Sequence, residues 1–219
     1  MQVKVKICGI KTPEALQAAL AARADFVGFV FYPPSPRSLA PEVAAELAEL
    51  ARGRAAIVAL IVDADDATIE RIVTAVEPDF LQLHGSESPE RVAEIARRWG
   101  RPAIKAIKVE SAGDAERALD YVDIAKLILF DAKAPKDLAG ALPGGNGLAF
   151  DWRLLDGVKD RVPFMLSGGL TPDNVADAIA ATGATIVDVS SGVETAPGTK
   201  SPDLIRQFIA AARAAYVPA

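Results

Sequence analysis

A chain of 219 residues suits one α/β barrel and is short for two domains. With 51% hydrophobic residues it can bury a large core. A net charge of −5 excludes the broad basic face of a nucleic-acid binder, and the single cysteine, Cys8, excludes an intrachain disulfide.

The first seven residues alternate and carry charge, with no apolar segment or cleavage site of a signal peptide. The apolar runs fall well short of the roughly 20 residues that cross a bilayer. These features point to the cytoplasm and away from membranes and nucleic acid.

Short β-rich apolar runs recur at 3–7, 26–30, 57–62, 80–83, 103–107, 127–130, 164–166 and 186–189. Stretches with helical spacing lie between them. Eight such repeats predict a parallel sheet with right-handed crossovers, closed as a single (β/α)8 TIM barrel over residues 1–219. An open doubly wound sheet is the rival, but the first run ends in Cys8-Gly9-Ile10-Lys11-Thr12 and lacks a dinucleotide-binding Gly-x-Gly-x-x-Gly.

Thr12-Pro13-Glu14, Ser88-Pro89-Glu90, Thr171-Pro172-Asp173 and Ser201-Pro202-Asp203 share a helix-start signature. The hydroxyl accepts an orphan N–H, and proline at the first helical position has none to leave unpaired. Ala40-Pro41-Glu42 is a weaker copy without the hydroxyl. A long irregular stretch, 132–147, holds two prolines and a Gly144-Gly145-Asn146-Gly147 cluster. Loops of this length are more often functional than structural.

A parallel barrel carries its site at the C-terminal ends of its strands. Side chains alternate along a strand, so Val3, Val5 and Ile7 share one face and Lys4, Lys6 and Cys8 the other. Cys8 then faces the barrel mouth, as a functional thiol or a small buried hydrophobe. Gln82 and His84 share parity and can both face inward; the lone histidine is a structural residue or a catalytic one, and it argues against a His-based metal site. Asp131 directly follows the sixth run, as a capping loop residue or a carboxyl whose desolvation disfavours its charged form. Arg37 lies in a proline-stiffened loop, as a solvated loop arginine or as a held guanidinium that suits a carboxylate. The glycine-rich loops at Gly168-Gly169 and Ser191-Gly192 follow strands seven and eight, where barrels bind phosphate.

Several segments, in order, resemble the phosphoribosylanthranilate isomerase family of tryptophan synthesis. They are Lys6-Ile7-Cys8-Gly9-Ile10, Gly28-Phe29-Val30-Phe31 with Ser35-Pro36-Arg37-Ser38, Leu81-Gln82-Leu83-His84-Gly85 and Leu129-Phe130-Asp131-Ala132-Lys133. The series continues with Gly144-Gly145-Asn146-Gly147, Phe150-Asp151-Trp152 and Leu166-Ser167-Gly168-Gly169-Leu170. It ends with Val187-Asp188-Val189-Ser190-Ser191-Gly192-Val193-Glu194 and Pro197-Gly198-Thr199-Lys200. Asn146 departs from the small hydroxyl residue usual there.

The resemblance implies a metal-free Amadori rearrangement that needs no cofactor and no protein partner. It makes Cys8 the general base and Asp131 the general acid. Arg37 binds the anthranilate carboxylate, Gln82 and His84 face the substrate, and Gly168, Gly169, Ser191 and Gly192 hold the phosphate. A base must be partly thiolate, against a free-cysteine value of about 8.5, and Lys4 and Lys6 are candidates to favour that form. The other readings are an indole-glycerol-phosphate synthase, a ribulose-phosphate epimerase, and a phosphosugar-binding barrel without turnover. Activity on the related histidine-pathway aminoaldose stays open.

Overall fold

In a computed structural model, residues 2–133 and 144–215 are described. Eight parallel strands form a closed barrel in chain order: β1 (Lys4–Cys8), β2 (Phe26–Phe31), β3 (Ala56–Ile61), β4 (Phe80–Leu83), β5 (Ala103–Val109), β6 (Leu127–Ala132), β7 (Phe164–Leu166) and β8 (Ile186–Val189). Closure rests on β1, which pairs with both β2 and β8; Lys6 is in register with Phe26 on one side and Asp188 on the other.

Helices α1 (Pro13–Ala21), α2 (Pro41–Ala51), α3 (Asp66–Val76) and α4 (Pro89–Trp99) follow the first four strands. The capping hydroxyls work as their chemistry dictates: Thr12 accepts from Ala15 N and Ser88 from Arg91 N. Alanine at position 40 supplies no side-chain cap. After β5 the helical layer thins to α5 (Ala112–Glu116) and a 3-10 turn, Arg117–Tyr121. After β6, the expected regular helix is absent among the described residues, which offer only the 3-10 turn Trp152–Leu155. α6 (Val175–Thr182) follows β7 and α7 (Pro202–Ala214) ends the layer.

The expected start at Thr171 needs correction. α6 begins at Val175, because Asn174 folds back over the preceding turn, with Oδ1 accepting from Thr171 N and Nδ2 donating to Gly169 O. Strand ends also shift. β6 runs on through Asp131 to Ala132, which places Asp131 within the strand and not just after it. A short hairpin, β9 (Glu194–Ala196) with β10 (Thr199–Lys200), was not anticipated. Of the expected loop at 132–147, residues 134–143 lie outside the described residues.

Strand alternation sorts the core into two regions. Outward residues such as Val5, Ile7, Leu81, Phe130 and Val187 pack with the helices. Phe26, Val58, Ile104, Leu129 and Met165 fill the interior. Toward the C-terminal ends of the strands, that filling gives way to polar residues and to a small cluster of Cys8, Val30 and Leu60. Among the described residues, no helix is long and apolar enough to cross a membrane.

Candidate active site

A cleft opens at the C-terminal ends of the strands. Cys8, Arg37, Gln82, His84, Asp131, Gly168, Gly169 and Ser191 all line it. Of the anticipated residues only Gly192 is not on the wall. It lies just behind: a Cβ there would collide with the Leu170 carbonyl, so only glycine lets the Ser190–Val193 turn approach the β7 loop.

The strand faces explain the convergence. Cys8 ends β1 and Asp131 is the penultimate residue of β6, both on inward positions. Both are about 95% buried, yet both reach the cleft. Asp131 Oδ1 accepts from Ala132 N (2.9 Å), and Oδ2 lies 3.2 Å from His84 Nε2. The Gln82 amide nitrogen sits 2.9 Å from His84 Nδ1. An amide nitrogen can only donate, so Nδ1 accepts and Nε2 carries the hydrogen that points at Asp131. Gln82 and His84 thus form a chain ending on the carboxyl.

Arg37 is nearly buried and fully oriented. Its Nε and NH2 groups donate to the two oxygens of Glu194 at 2.9 and 2.8 Å, and NH2 also donates to Gly145 O at 3.1 Å. Lys200 Nζ joins Glu194 Oε1 at 2.7 Å and donates to Ser190 O at 2.8 Å. Ser190 Oγ in turn donates to Cys8 O at 3.2 Å, which ties the hairpin to the end of β1. Burial alone would raise the Glu194 carboxyl; Arg37 and Lys200 outweigh it and hold the group below its ordinary range. Glu194 and Lys200 stood within the quoted motifs without a role. Their signal was a turn, Pro197-Gly198, between two charges of opposite sign.

The thiol departs from expectation. Burial pushes Cys8 up, Lys6 pulls it down, Asp188 adds to the rise, and Lys200 opposes it; the net direction is upward. Lys4, a candidate for favouring the thiolate, is solvent-exposed and is not among the main groups acting on Cys8. Lys6 does act, from inside the barrel.

Between β6 and β1, the cleft rim holds Ser167, Gly168 and Gly169 after β7, with Ser190 and Ser191 after β8. Gly168 and Gly169 have φ of 89° and 63°, a left-handed pair that turns the backbone at the rim. The wall near Cys8 is apolar, with Val30, Leu60, Val62 and the ring of Tyr32. Among the described residues, no three His, Cys, Asp or Glu side chains converge as metal ligands would.

A family model described as N-(5'-phosphoribosyl)anthranilate (PRA) isomerase matches residues 5–211. An N-(5'-phosphoribosyl)anthranilate isomerase of Parvibaculum lavamentivorans is 54% identical over 215 residues, covering 98% of this chain and 100% of the relative. One of Rhodopseudomonas palustris is 56% identical over 214 residues, covering 98% and 97%. Among solved structures, the phosphoribosyl anthranilate isomerase of Thermotoga maritima superposes with a TM-score of 0.86 at 39% identity, covering 96% of this chain and 98% of that one. A further phosphoribosyl anthranilate isomerase structure, in complex with reduced 1-(o-carboxyphenylamino)-1-deoxyribulose 5-phosphate, gives a TM-score of 0.83 at 38% identity and the same coverage.

Proposed function

The chain belongs to the N-(5'-phosphoribosyl)anthranilate isomerase family, and we propose that it converts N-(5-phosphoribosyl)anthranilate to the corresponding 1-deoxyribulose phosphate in tryptophan synthesis. The observation that carries this reading is that a thiol on β1 and a carboxyl on β6 line one cleft with Arg37 and the glycine loops. Arg37 and the glycine loops supply anion-binding groups for the substrate's two anionic ends.

The roles follow from the chemistry. Asp131 donates its proton to the ribose ring oxygen as the C1'–O bond breaks, and the nitrogen lone pair forms an iminium. The Cys8 thiolate then takes the C2' proton. The released electron pair forms C1'=C2' and neutralises the nitrogen. This enolamine gains a proton at C1' and loses the hydroxyl proton, which gives the ketone. No electron enters or leaves overall. The iminium cation forms close to the sulfur, and positive charge there favours the thiolate at the step that needs it.

His84 holds Asp131 through Nε2–H, and Gln82 fixes the tautomer. Arg37, oriented by Glu194, offers the remainder of its guanidinium to the anthranilate carboxylate. The apolar wall of Val30, Leu60 and Tyr32 suits the aromatic ring. Gly168, Gly169 and Ser191 meet the phosphate with backbone N–H groups and a hydroxyl, and Gly192 behind them lets the β8 turn come close. Residues 1–219 act as one barrel domain, in the cytoplasm, on a small molecule and without a protein partner.

The test is purified protein with N-(5-phosphoribosyl)anthranilate, following loss of anthranilate fluorescence. Enzyme-dependent loss to the ketose is expected. Binding without turnover would leave the phosphosugar-binding alternative. The histidine-pathway aminoaldose, assayed in parallel, shows whether the acid–base pair serves a second substrate.

A further inference from the structure

Beneath the cleft lies a charged group that the acid–base scheme leaves unused. Lys6 is fully buried inside the barrel, two residues before Cys8 and on the same face of β1. Its Nζ is 2.8 Å from Asp188 Oδ1, and Asp188 Oδ2 accepts from Ser167 Oγ at 3.2 Å. The β2 residue in register with Cys8 is Gly28. A Cβ at Gly28 would sit 3.0 Å from Cys8 Sγ and 3.3 Å from Lys6 Cε. The missing side chain therefore makes the gap in which sulfur and lysine stem lie together.

We infer that Lys6 is the positioning residue for the thiol: Asp188 and Ser167 anchor its ammonium under Cys8, where it supplies the counter-charge of the thiolate. The inference deepens the proposed role of Cys8 as base and rests on that reading.

Burying a lysine inside a barrel is costly unless it is paired. The Asp188 pair explains why Lys6 tolerates the site, yet an aliphatic residue would fill the same volume without that cost. Burial acts to lower the Lys6 amine, but Asp188 and Cys8 outweigh it, so the ammonium keeps its charge. Around the sulfur, the charged neighbours are Lys6 on β1, Asp188 on β8 and Lys200 on the hairpin after β8. Neighbours from β2 and β3 are apolar, namely Val30 and Leu60. Arg37, His84 and Asp131 share the cleft wall. Lys6 is the strongest of the groups that favour the thiolate, and it outweighs Asp188.

Because Cys8 is the only cysteine in the chain, its ionisation can be read without interference. The experiment is the pH dependence of iodoacetamide alkylation, with the pH profile of kcat/KM, for wild type, Lys6→Met and the doubly neutral Lys6→Met/Asp188→Asn. The double variant leaves no buried charge unpaired and keeps the test open if the single variant fails to fold. The alkylation midpoint is expected to rise by about 1–3 pH units in Lys6→Met, and by less in the double variant. The acidic limb of kcat/KM should move with it. A midpoint that moves while the kcat/KM limb stays still would uphold the link between Lys6 and the thiol and refute Cys8 as base. An unchanged midpoint in every variant that folds overturns the inference.

Discussion

Glu194 grips Arg37 through both carboxylate oxygens, at 2.9 and 2.8 Å, from a hairpin that begins just after β8. The arginine comes from the β2 loop, so the pair spans 157 residues of chain. An arginine held this way loses little further side-chain entropy when a ligand carboxylate arrives. Glu194→Gln should therefore weaken substrate binding. We expect KM to rise by about tenfold with a smaller change in kcat, since a charge-assisted hydrogen bond contributes about 1.5–3 kcal/mol. Steady-state kinetics decide it; a fall in kcat at constant KM would assign Glu194 a different part.

The His84–Asp131 contact has a close neighbour in Gly144. A Cβ on Gly144 would lie 2.6 Å from His84 Nε2 and 2.7 Å from Asp131 Oδ2. Gly144→Ala must push the imidazole, the carboxyl or the backbone aside. Turnover should drop by about tenfold or more, while the thermal midpoint stays near wild type because residue 144 is not part of the core. His84→Ala removes the donor to Asp131 and should lower kcat by a similar factor. An unaffected kcat in both variants would show that the contact does not position the acid.

A second buried pair, Lys105–Glu87, sits on the outer face of the strands and tests stability, not catalysis. Lys105 Nζ is 2.7 Å from Glu87 Oε2 and donates to Gly85 O at 2.9 Å; Glu87 Oε1 accepts from Asp63 N and Gly85 N. The network pins the turn that follows His84. Lys105→Met leaves a buried carboxylate without its cation and should cost about 3–5 kcal/mol by denaturant unfolding. Burial acts against the Glu87 charge, but Lys105 and the backbone donors outweigh it and hold the carboxyl below its ordinary range. Its contribution is complete above the unfolded glutamate value and is lost as pH falls through the lower folded one. Lys105→Met should therefore lose this part of the acid sensitivity.

The Cys8 thiol gives the opposite slope. Burial raises it in the folded state, with Lys6 opposing. Below the pH where an unfolded cysteine ionises, both states hold the proton. Above that pH the unfolded chain ionises first, so stability falls until the pH passes the folded value. Cys8→Ala should remove this alkaline loss in denaturation curves. The same rise means that kcat/KM of the wild type should climb with pH through neutrality, as the thiolate fraction grows. A flat profile there would speak against a thiol base.

The barrel was legible because its periodicities are strong. Strand runs at 80–83, 164–166 and 186–189 match β4, β7 and β8 residue for residue. Parity alone placed Cys8, Gln82 and His84 inward, and all three line the cleft. The ion pairs were not legible. Lys6 and Asp188 are separated by 182 residues, and nothing local tells a barrel-facing lysine from a solvent-facing one. Lys4, of the same parity, is exposed at the other end of the strand, which is why the two lysines could not be told apart. The late start of α6 was hidden for a different reason. Asn174 competes for the backbone after Thr171-Pro172-Asp173, and a side-chain amide can build that turn as readily as a threonine can cap it.

The most direct measurement is turnover of Cys8→Ala and Asp131→Ala on N-(5-phosphoribosyl)anthranilate, with binding of a reduced product analogue measured on the same samples. Both variants should bind the analogue and melt near wild type, while kcat falls by about 10²–10⁴-fold in each. Near-full activity in either folded variant would contradict the account.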